Sequence, residues 1–334
     1  MLDYANGHRR RFAWCCAWRL TAGLSTGGAD DNEAQTAPGK VDRDKPMQEF
    51  LRNNTFARQL LTGPRMLRRR WRHYRDQPTI DTILAMQEMI VGDVQVRVHE
   101  FDGEFMMSPK SHIFYRLAQF GEYEPDLIKI ILDAVVPEKD VIDVGANLGF
   151  FSCATAKRLS TGRVLAIEPT DGAHRRLIQN LTLNGVADKV VVFKGVASDS
   201  AGQSDIHFID GMEEYSSIEK SEHPAVAGRA MASITVAAKS IDQLVTENAL
   251  RPAVIKVDVE GAEGLVFKGA QATLKEFRPL VLAELNRQML ATFGTSPEEL
   301  ISRFKQLGYK TVDPLRPGVE PGTADFGDLL CIPG

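Results

Sequence analysis

The chain has 334 residues, 43% of them hydrophobic and 25% charged, with a formal net charge of −4. That is an ordinary soluble globular composition, long enough for one large or two modest domains. No global basic field directs it to nucleic acid, and no apolar run approaches the roughly 20 residues of a spanning helix.

Residues 1–46 read as a disordered extension. Positions 23–46 are rich in Gly, Ser, Thr, Asp, Asn and Pro, with little to bury. Arg9-Arg10-Arg11-Phe12 loosely echoes an export signal, but Arg19 interrupts a short apolar run. Residues 47–78 read as a basic helical segment broken near Gly63-Pro64. Its second half, Arg65 to Arg75, interleaves arginines with Met66, Leu67, Trp71 and Tyr74. A solvated helix is the preferred reading there, with weak peripheral contact to an anionic membrane as the alternative. The four cysteines, Cys15, Cys16, Cys153 and Cys331, have no zinc-ligand spacing and form no natural pair. A reducing cytoplasm is the expected setting.

Residues 79–334 form the expected main folded domain, with 79–137 leading into a core at 138–334. Alternation at Val94, Val96 and Val98 followed by Asp102-Gly103 predicts a hairpin. Helices are expected over Ser111–Gln119 and Asp126–Val135. From Val141 onward, strands and helices alternate, as in a mostly parallel sheet covered on both faces. Predicted strands are Val141–Val144, Val164–Ile167, Val190–Gly195, Val254–Val257 and Leu280–Leu285. The predicted helices are Phe150–Leu159, Asp171–Leu183, one from Glu263 to about Phe277, and Pro297–Leu307. Short pieces at Asp205–Ile209 and Ala232–Ala237 read as extra strands. Two closing strands, Lys310–Val312 and Asp328–Ile332, have no helix between them and predict an antiparallel edge hairpin.

The segment Val141-Ile-Asp-Val-Gly-Ala-Asn-Leu-Gly149 is a buried strand running into a glycine-bearing turn. An acidic residue, Glu168, closes the next strand about 20 residues on, which makes a nucleoside-binding unit. Gly145 and Gly149 permit the turn and close backbone approach. Glu168 is placed to accept both ribose hydroxyls. Asn147 bonds locally or reaches a ligand carboxylate at the helix start. The third glycine of the dinucleotide fingerprint is missing, and Asp143 beside the loop would repel phosphate. The same carboxylate suits a ligand ammonium, such as that of S-adenosylmethionine (SAM). Asp199 or the preceding Ala197-Ser198, following the third strand, is expected near adenine.

At the end of the fourth strand, Asp258-Val-Glu-Gly-Ala-Glu263 gathers carboxylates, and alternation puts Lys256 and Asp258 on one face. Asp258 is the candidate general base or acceptor-orienting group, with Glu260 second, and Lys256 completes the candidate catalytic set. Helix capping is the plainer role for such a cluster. Glu284 ends the fifth strand and could face the acceptor. No third ligand is evident, so no metal is expected.

Taken together, Asp143-Val-Gly-Ala-Asn-x-Gly149, Glu168-Pro169, Gly121-x-Tyr-Glu124, Ser216-Ser217, Ser240-Ile-Asp242 and Asp258 to Glu263 resemble the FkbM-type methyltransferases. The resemblance spans Thr79 to the end, with Ile in place of the usual Leu before Asp242. It implies a Rossmann-like class I methyltransferase fold with a seven-stranded sheet, SAM as cofactor, and Glu124 bordering the SAM pocket. It also implies methylation of a hydroxyl on a sugar, glycolipid, polysaccharide or secondary metabolite. The residues leave two other readings open: a nucleotide-dependent oxidoreductase on a related sheet, and a non-catalytic module of this fold at a membrane surface. Residues Asp210 to Ser217 are the expected acceptor-lining segment. Oligomeric state is not legible.

Overall fold

The computed structural model describes residues 92–208 and 232–334. The expectations for residues 1–78, including Arg65 to Arg75, and for Asp210 to Ser217 lie outside the described residues.

The elements run β1 (Val94–Val98), β2 (Gly103–Met107), α1 (His112–Phe120), α2 (Pro125–Ala134), β3 (Asp140–Val144), α3 (Phe150–Ala156), β4 (Val164–Ile167), α4 (Asp171–Leu183) and β5 (Val190–Phe193). They continue with β6 (Gly195–Ala197), β7 (Gly202–Phe208), β8 (Ala232–Lys239), α5 (Ile241–Glu247), β9 (Pro252–Val257), α6 (Glu263–Lys268), α7 (Gln271–Glu276) and β10 (Leu280–Asn286). The chain closes with α8 (Arg287–Thr292), α9 (Pro297–Gln306), β11 (Tyr309–Val312) and β12 (Phe326–Pro333).

Seven strands form one sheet in the order β11-β12-β10-β9-β3-β4-β5. The five from β10 to β5 are parallel, while β12 pairs antiparallel with both β10 and β11. This is the class I methyltransferase architecture, with the expected closing hairpin inserted between β10 and the edge. Strand order reverses between β3 and β9, so the crevice beyond their carboxyl ends is where this kind of sheet binds ligands.

The central strands are apolar because both faces are covered. On one face Val141, Val164, Val254, Leu282 and Leu330 pack under α1–α4 and the β1–β2 hairpin. On the other, Ile142, Leu165, Ile255, Val281 and Leu329 pack under α5–α7 and α9. Each fully buried Leu, Ile or Phe contributes about 1.5–3 kcal/mol before entropy is counted. Ser111 caps α1 by accepting from Phe114 N at 3.1 Å.

The structure differs from the sequence expectations at four places, one of them the unexpected helix α5, which Ser240 caps by accepting from Gln243 N at 3.1 Å. The strand expected over Val190–Gly195 divides: β5 stays in the main sheet, while β6 joins a three-stranded sheet in the order β6-β8-β7. Gly195 marks the change, because a Cβ there would lie 2.3 Å from the Ala237 carbonyl of β8. The helix expected to run to Phe277 breaks into α6 and α7. Asp242 accepts from Ala272 N and Thr273 N at 2.9 and 2.7 Å, giving α7 its own cap. Helix α8 was not expected; Asn286 starts it by accepting from Met289 N at 3.2 Å. Among the described residues, no helix is long and apolar enough to cross a membrane.

Candidate active site

The glycine loop begins where β3 ends. Gly145 N and Ala146 N both donate to Ile167 O, at 3.1 and 3.0 Å, so the turn is stitched to β4. Gly145 has φ +75°, and a Cβ on it would sit 1.9 Å from the Asp258 carbonyl. That approach leaves room for glycine alone. Gly149 has φ +88°, and its missing Cβ makes space for Leu177 of α4, which would lie 2.6 Å away. The two glycines therefore serve different needs: Gly145 lets β9 pass, and Gly149 lets α4 pack.

Glu168 is 3% exposed and shapes the turn through both carboxylate oxygens. One carboxylate oxygen accepts from Asn147 N at 3.0 Å; the other accepts from Thr170 N at 2.9 Å and Thr170 Oγ1 at 2.7 Å. Asn147 adopts φ +50°, the left-handed region that Asn tolerates better than most residues. Glu168 thus fixes the loop and, at the same strand end, presents a carboxylate of set orientation.

Asp143 is 1% exposed and accepts from Ser152 Oγ at 2.6 Å through one oxygen. Its other oxygen, Oδ1, has no hydrogen-bond partner. An orphaned buried carboxylate oxygen is costly and marks a place for a donor. Burial pushes the Asp143 carboxyl above its ordinary range, while Lys256 and Ser152 pull it back. The Lys256 ammonium stands 3.8 Å from Oδ1. It donates to Gly145 O at 3.1 Å and to Asp258 Oδ2 at 3.2 Å, and lies 5.2 Å from the Phe151 ring centroid. Burial alone would lower the lysine, but Asp258, Asp143 and Glu124 outweigh it, so its pKa stands above the ordinary value. Lys256 therefore remains an ammonium and holds no proton-accepting capacity.

Strand register places the other acids. Val144 pairs with Ile167 and Val257, and Val257 with Ala283. One residue further on, Glu168, Gly145, Asp258 and Glu284 follow in a row across four strand ends. Asp328 extends the row, because it pairs directly with Glu284. Glu124, in the left-handed region at the start of α2, completes the group. Burial first, then Asp258, raises Glu124 to about 7, against Lys256. Burial, then Asp258, raises Asp328 to about 7. Glu284 is held well above the usual carboxylate range by burial and then by Asp258, Glu260, Glu124 and Asp328.

The expected site residues thus divide. Asp143, Gly145, Asn147, Glu168, Lys256 and Asp258 are joined by direct bonds or close approach, and Glu124, Glu260 and Glu284 act on the same spot by charge. Gly149 has a packing role. Asp199 is not tied into this set: it is exposed between β6 and β7 and accepts from Ser200 Oγ at 3.0 Å. Glu263, the first residue of α6, braces the preceding loop instead, accepting from Val259 N and Gly261 N at 3.2 and 3.3 Å.

Sequence reasoning missed Asp328, whose place depends on its partner strand, and Asn180. Asn180 is fully buried; it donates to Leu148 O at 2.9 Å and Met106 O at 3.1 Å, and accepts from Met106 N at 2.7 Å. It clamps the hairpin edge to the glycine loop. A polar residue beside the apolar stripe of Leu177 and Leu181 was the available signal.

The methyltransferase FkbM domain model matches residues 143–311. This chain belongs to the FkbM methyltransferase family. A hexuronic acid methyltransferase, AglP, of Haloferax volcanii is 30% identical over 189 residues, covering 56% of this chain and 70% of that protein. The AMB antimetabolite synthetase AmbE of Pseudomonas aeruginosa is 38% identical over 82 residues; the match covers 25% of this chain and only 4% of AmbE. A crystal structure of a methyltransferase FkbM from Methylobacillus flagellatus KT aligns over 77% of this chain and 58% of that one. The TM-score is 0.40 and the identity 14%.

Proposed function

We propose that this chain is a SAM-dependent O-methyltransferase acting on a hydroxyl of a sugar, glycolipid, polysaccharide or secondary-metabolite acceptor. The observation that carries the reading is the orphaned Asp143 Oδ1 beside the glycine turn. It is a buried anionic acceptor in want of a donor, and the methionine ammonium of SAM is such a donor. Glu168, at the end of the neighbouring strand, fits the ribose of the same molecule. Bound SAM supplies a methyl group activated on a sulfonium.

Asp258 then serves as the base. It is only partly buried, it lies on the strand next to Gly145, and Lys256 orients one of its oxygens. It takes the proton of the acceptor hydroxyl as the oxygen attacks the methyl carbon in line. Lys256, fixed as a cation, joins the donor loop to the base through Gly145 O and Asp258 Oδ2. Glu260 and Glu124 border the same space. The relative named as a hexuronic acid methyltransferase supports a sugar-derived acceptor.

Titration calorimetry with SAM and S-adenosylhomocysteine tests the donor half. Wild type binds both, Asp143→Asn weakens binding, and Glu168→Ala weakens it by about 30-fold or more, as loss of charged hydrogen bonds requires. A folded wild-type protein with no affinity for either compound would end this reading.

A further inference from the structure

With the donor at Asp143 and Glu168, as proposed above, the acceptor must lie over the remainder of the row, at Glu284 and Asp328. The same face of the sheet continues one step further, to the pair Asn286 and Phe326. Alternation along β12 puts Phe326, Asp328 and Leu330 on one face, and Leu330 is buried in the core beneath it. Phe326 is nonetheless 58% exposed. Leu315 and Val319 are exposed too, but they belong to the connection before β12, whereas Phe326 stands on the sheet beside two carboxylates. Its backbone is held firmly. Arg287 N donates to Asp325 O at 2.8 Å, and the Arg287 guanidinium donates to Gly322 O at 2.6 Å and grips Glu298 at 2.6 and 3.0 Å.

An exposed aromatic ring next to paired carboxylates has the two complementary surfaces of a pyranose. One is a flat C–H face for the ring, and the other is an edge of hydroxyls for the oxygens. The principal charges acting on Glu284 are four further carboxylates, Asp258, Glu260, Glu124 and Asp328. The nearby cations are already engaged: Lys256 is buried and bonded to Gly145 O and Asp258 Oδ2, and Arg316, which acts on Asp328, is paired with Asp313. Directly opposed acids on neighbouring strands are unfavourable unless they share a proton or a ligand. A proton shared between Glu284 and Asp328 lets the pair both donate to and accept from sugar hydroxyls.

We infer that the acceptor is a pyranoside lacking a carboxylate, stacked on Phe326 with its hydroxyls held by Glu284 and Asp328. A uronate would bring its own charge into this row of acids. The preferred sugar therefore differs from the one in the name of the Haloferax volcanii relative.

The test uses the full chain saturated with S-adenosylhomocysteine. Methyl glucopyranoside, methyl glucosaminide and methyl glucuronide are the probes, followed by saturation-transfer NMR and calorimetry. The neutral and amino pyranosides should bind, and the glucuronide at least about tenfold more weakly, as like charge in a confined site demands. Phe326→Ala should weaken the neutral probe by about tenfold, while Phe326→Trp retains it, and neither should change S-adenosylhomocysteine affinity. Equal or better glucuronide binding, an unaffected Phe326→Ala, or no pyranoside binding by a protein that does bind S-adenosylhomocysteine would each overturn the inference. Failure to bind S-adenosylhomocysteine would instead remove the donor reading on which it rests.

Discussion

Replacing Lys256 by Met keeps the stem and removes the charge. Lys256 is 7% exposed, with its ammonium bonded to Gly145 O and Asp258 Oδ2 and 3.8 Å from Asp143 Oδ1. Asp258 is partly exposed and can take up water in compensation; Asp143, 1% exposed, cannot. Removing one partner of a buried pair costs about 3–5 kcal/mol. The protein can limit that cost by keeping Asp143 protonated, and holding an ordinary aspartic acid neutral at pH 7 costs about 4 kcal/mol. The two routes agree, so Lys256→Met should lose about 3–4 kcal/mol at pH 7. A carboxyl that keeps its proton only in the folded state makes stability fall as pH rises above the unfolded value, near 4. The loss should therefore shrink to about 1–2 kcal/mol at pH 5. Urea unfolding followed by far-ultraviolet circular dichroism at both pH values measures it, and Lys256→Met with Asp143→Asn should recover most of the deficit. A loss under about 1 kcal/mol at pH 7, or no recovery in the double variant, would refute the assignment of Lys256 as the counter-ion of a buried Asp143.

Three further outcomes are expected. Gly145→Ala forces a Cβ to within 1.9 Å of a backbone carbonyl at φ +75°. It should cost more than the roughly 1–2 kcal/mol of left-handed strain and abolish SAM binding, as read by thermal melting and calorimetry. Asn180→Ala leaves Met106 and Leu148 backbone groups without their buried partner, and should destabilise by about 2–4 kcal/mol in urea titration. For the wild type, burial and mutual repulsion raise Glu124, Glu263 and Asp328 to about 7 and Glu284 well above its usual range. These groups hold protons in the folded state that the unfolded chain has already lost. Stability should thus fall as pH rises from about 4 through 7, by roughly 2 kcal/mol or more between pH 5 and 8. Glu284→Gln should flatten the slope, and a stability rising over that range would contradict the clustering of these acids.

The donor half of the site was legible because it is local. Asp143, Gly145, Asn147 and Gly149 lie within seven residues of chain, and Glu168 follows at the end of the next strand. Parallel neighbours with a short crossover helix leave little freedom in how these come together. The motif Asp258 to Glu263 was legible as a cluster, but its division of labour was not. Whether an acid braces the loop or faces a crevice depends on which backbone N–H groups surround it, and that placed Glu263 with the former and Asp258 with the latter. Likewise, Gly145 and Gly149 look alike in the chain, and only their neighbours Asp258 and Leu177 separate them.

By itself, then, the chain determined the strand–helix alternation, the glycine turn and the family, since these depend on residue spacings within one or two elements. Tertiary structure alone decided the rest. Register across β9, β10 and β12 set Glu284 against Asp328 and lifted Phe326 onto their rim, and packing left Asp143 Oδ1 without a donor. Those facts belong to pairs of strands distant in the sequence. One residue of slip would turn each side chain to the other face, and no local pattern reveals which register the folded sheet has chosen.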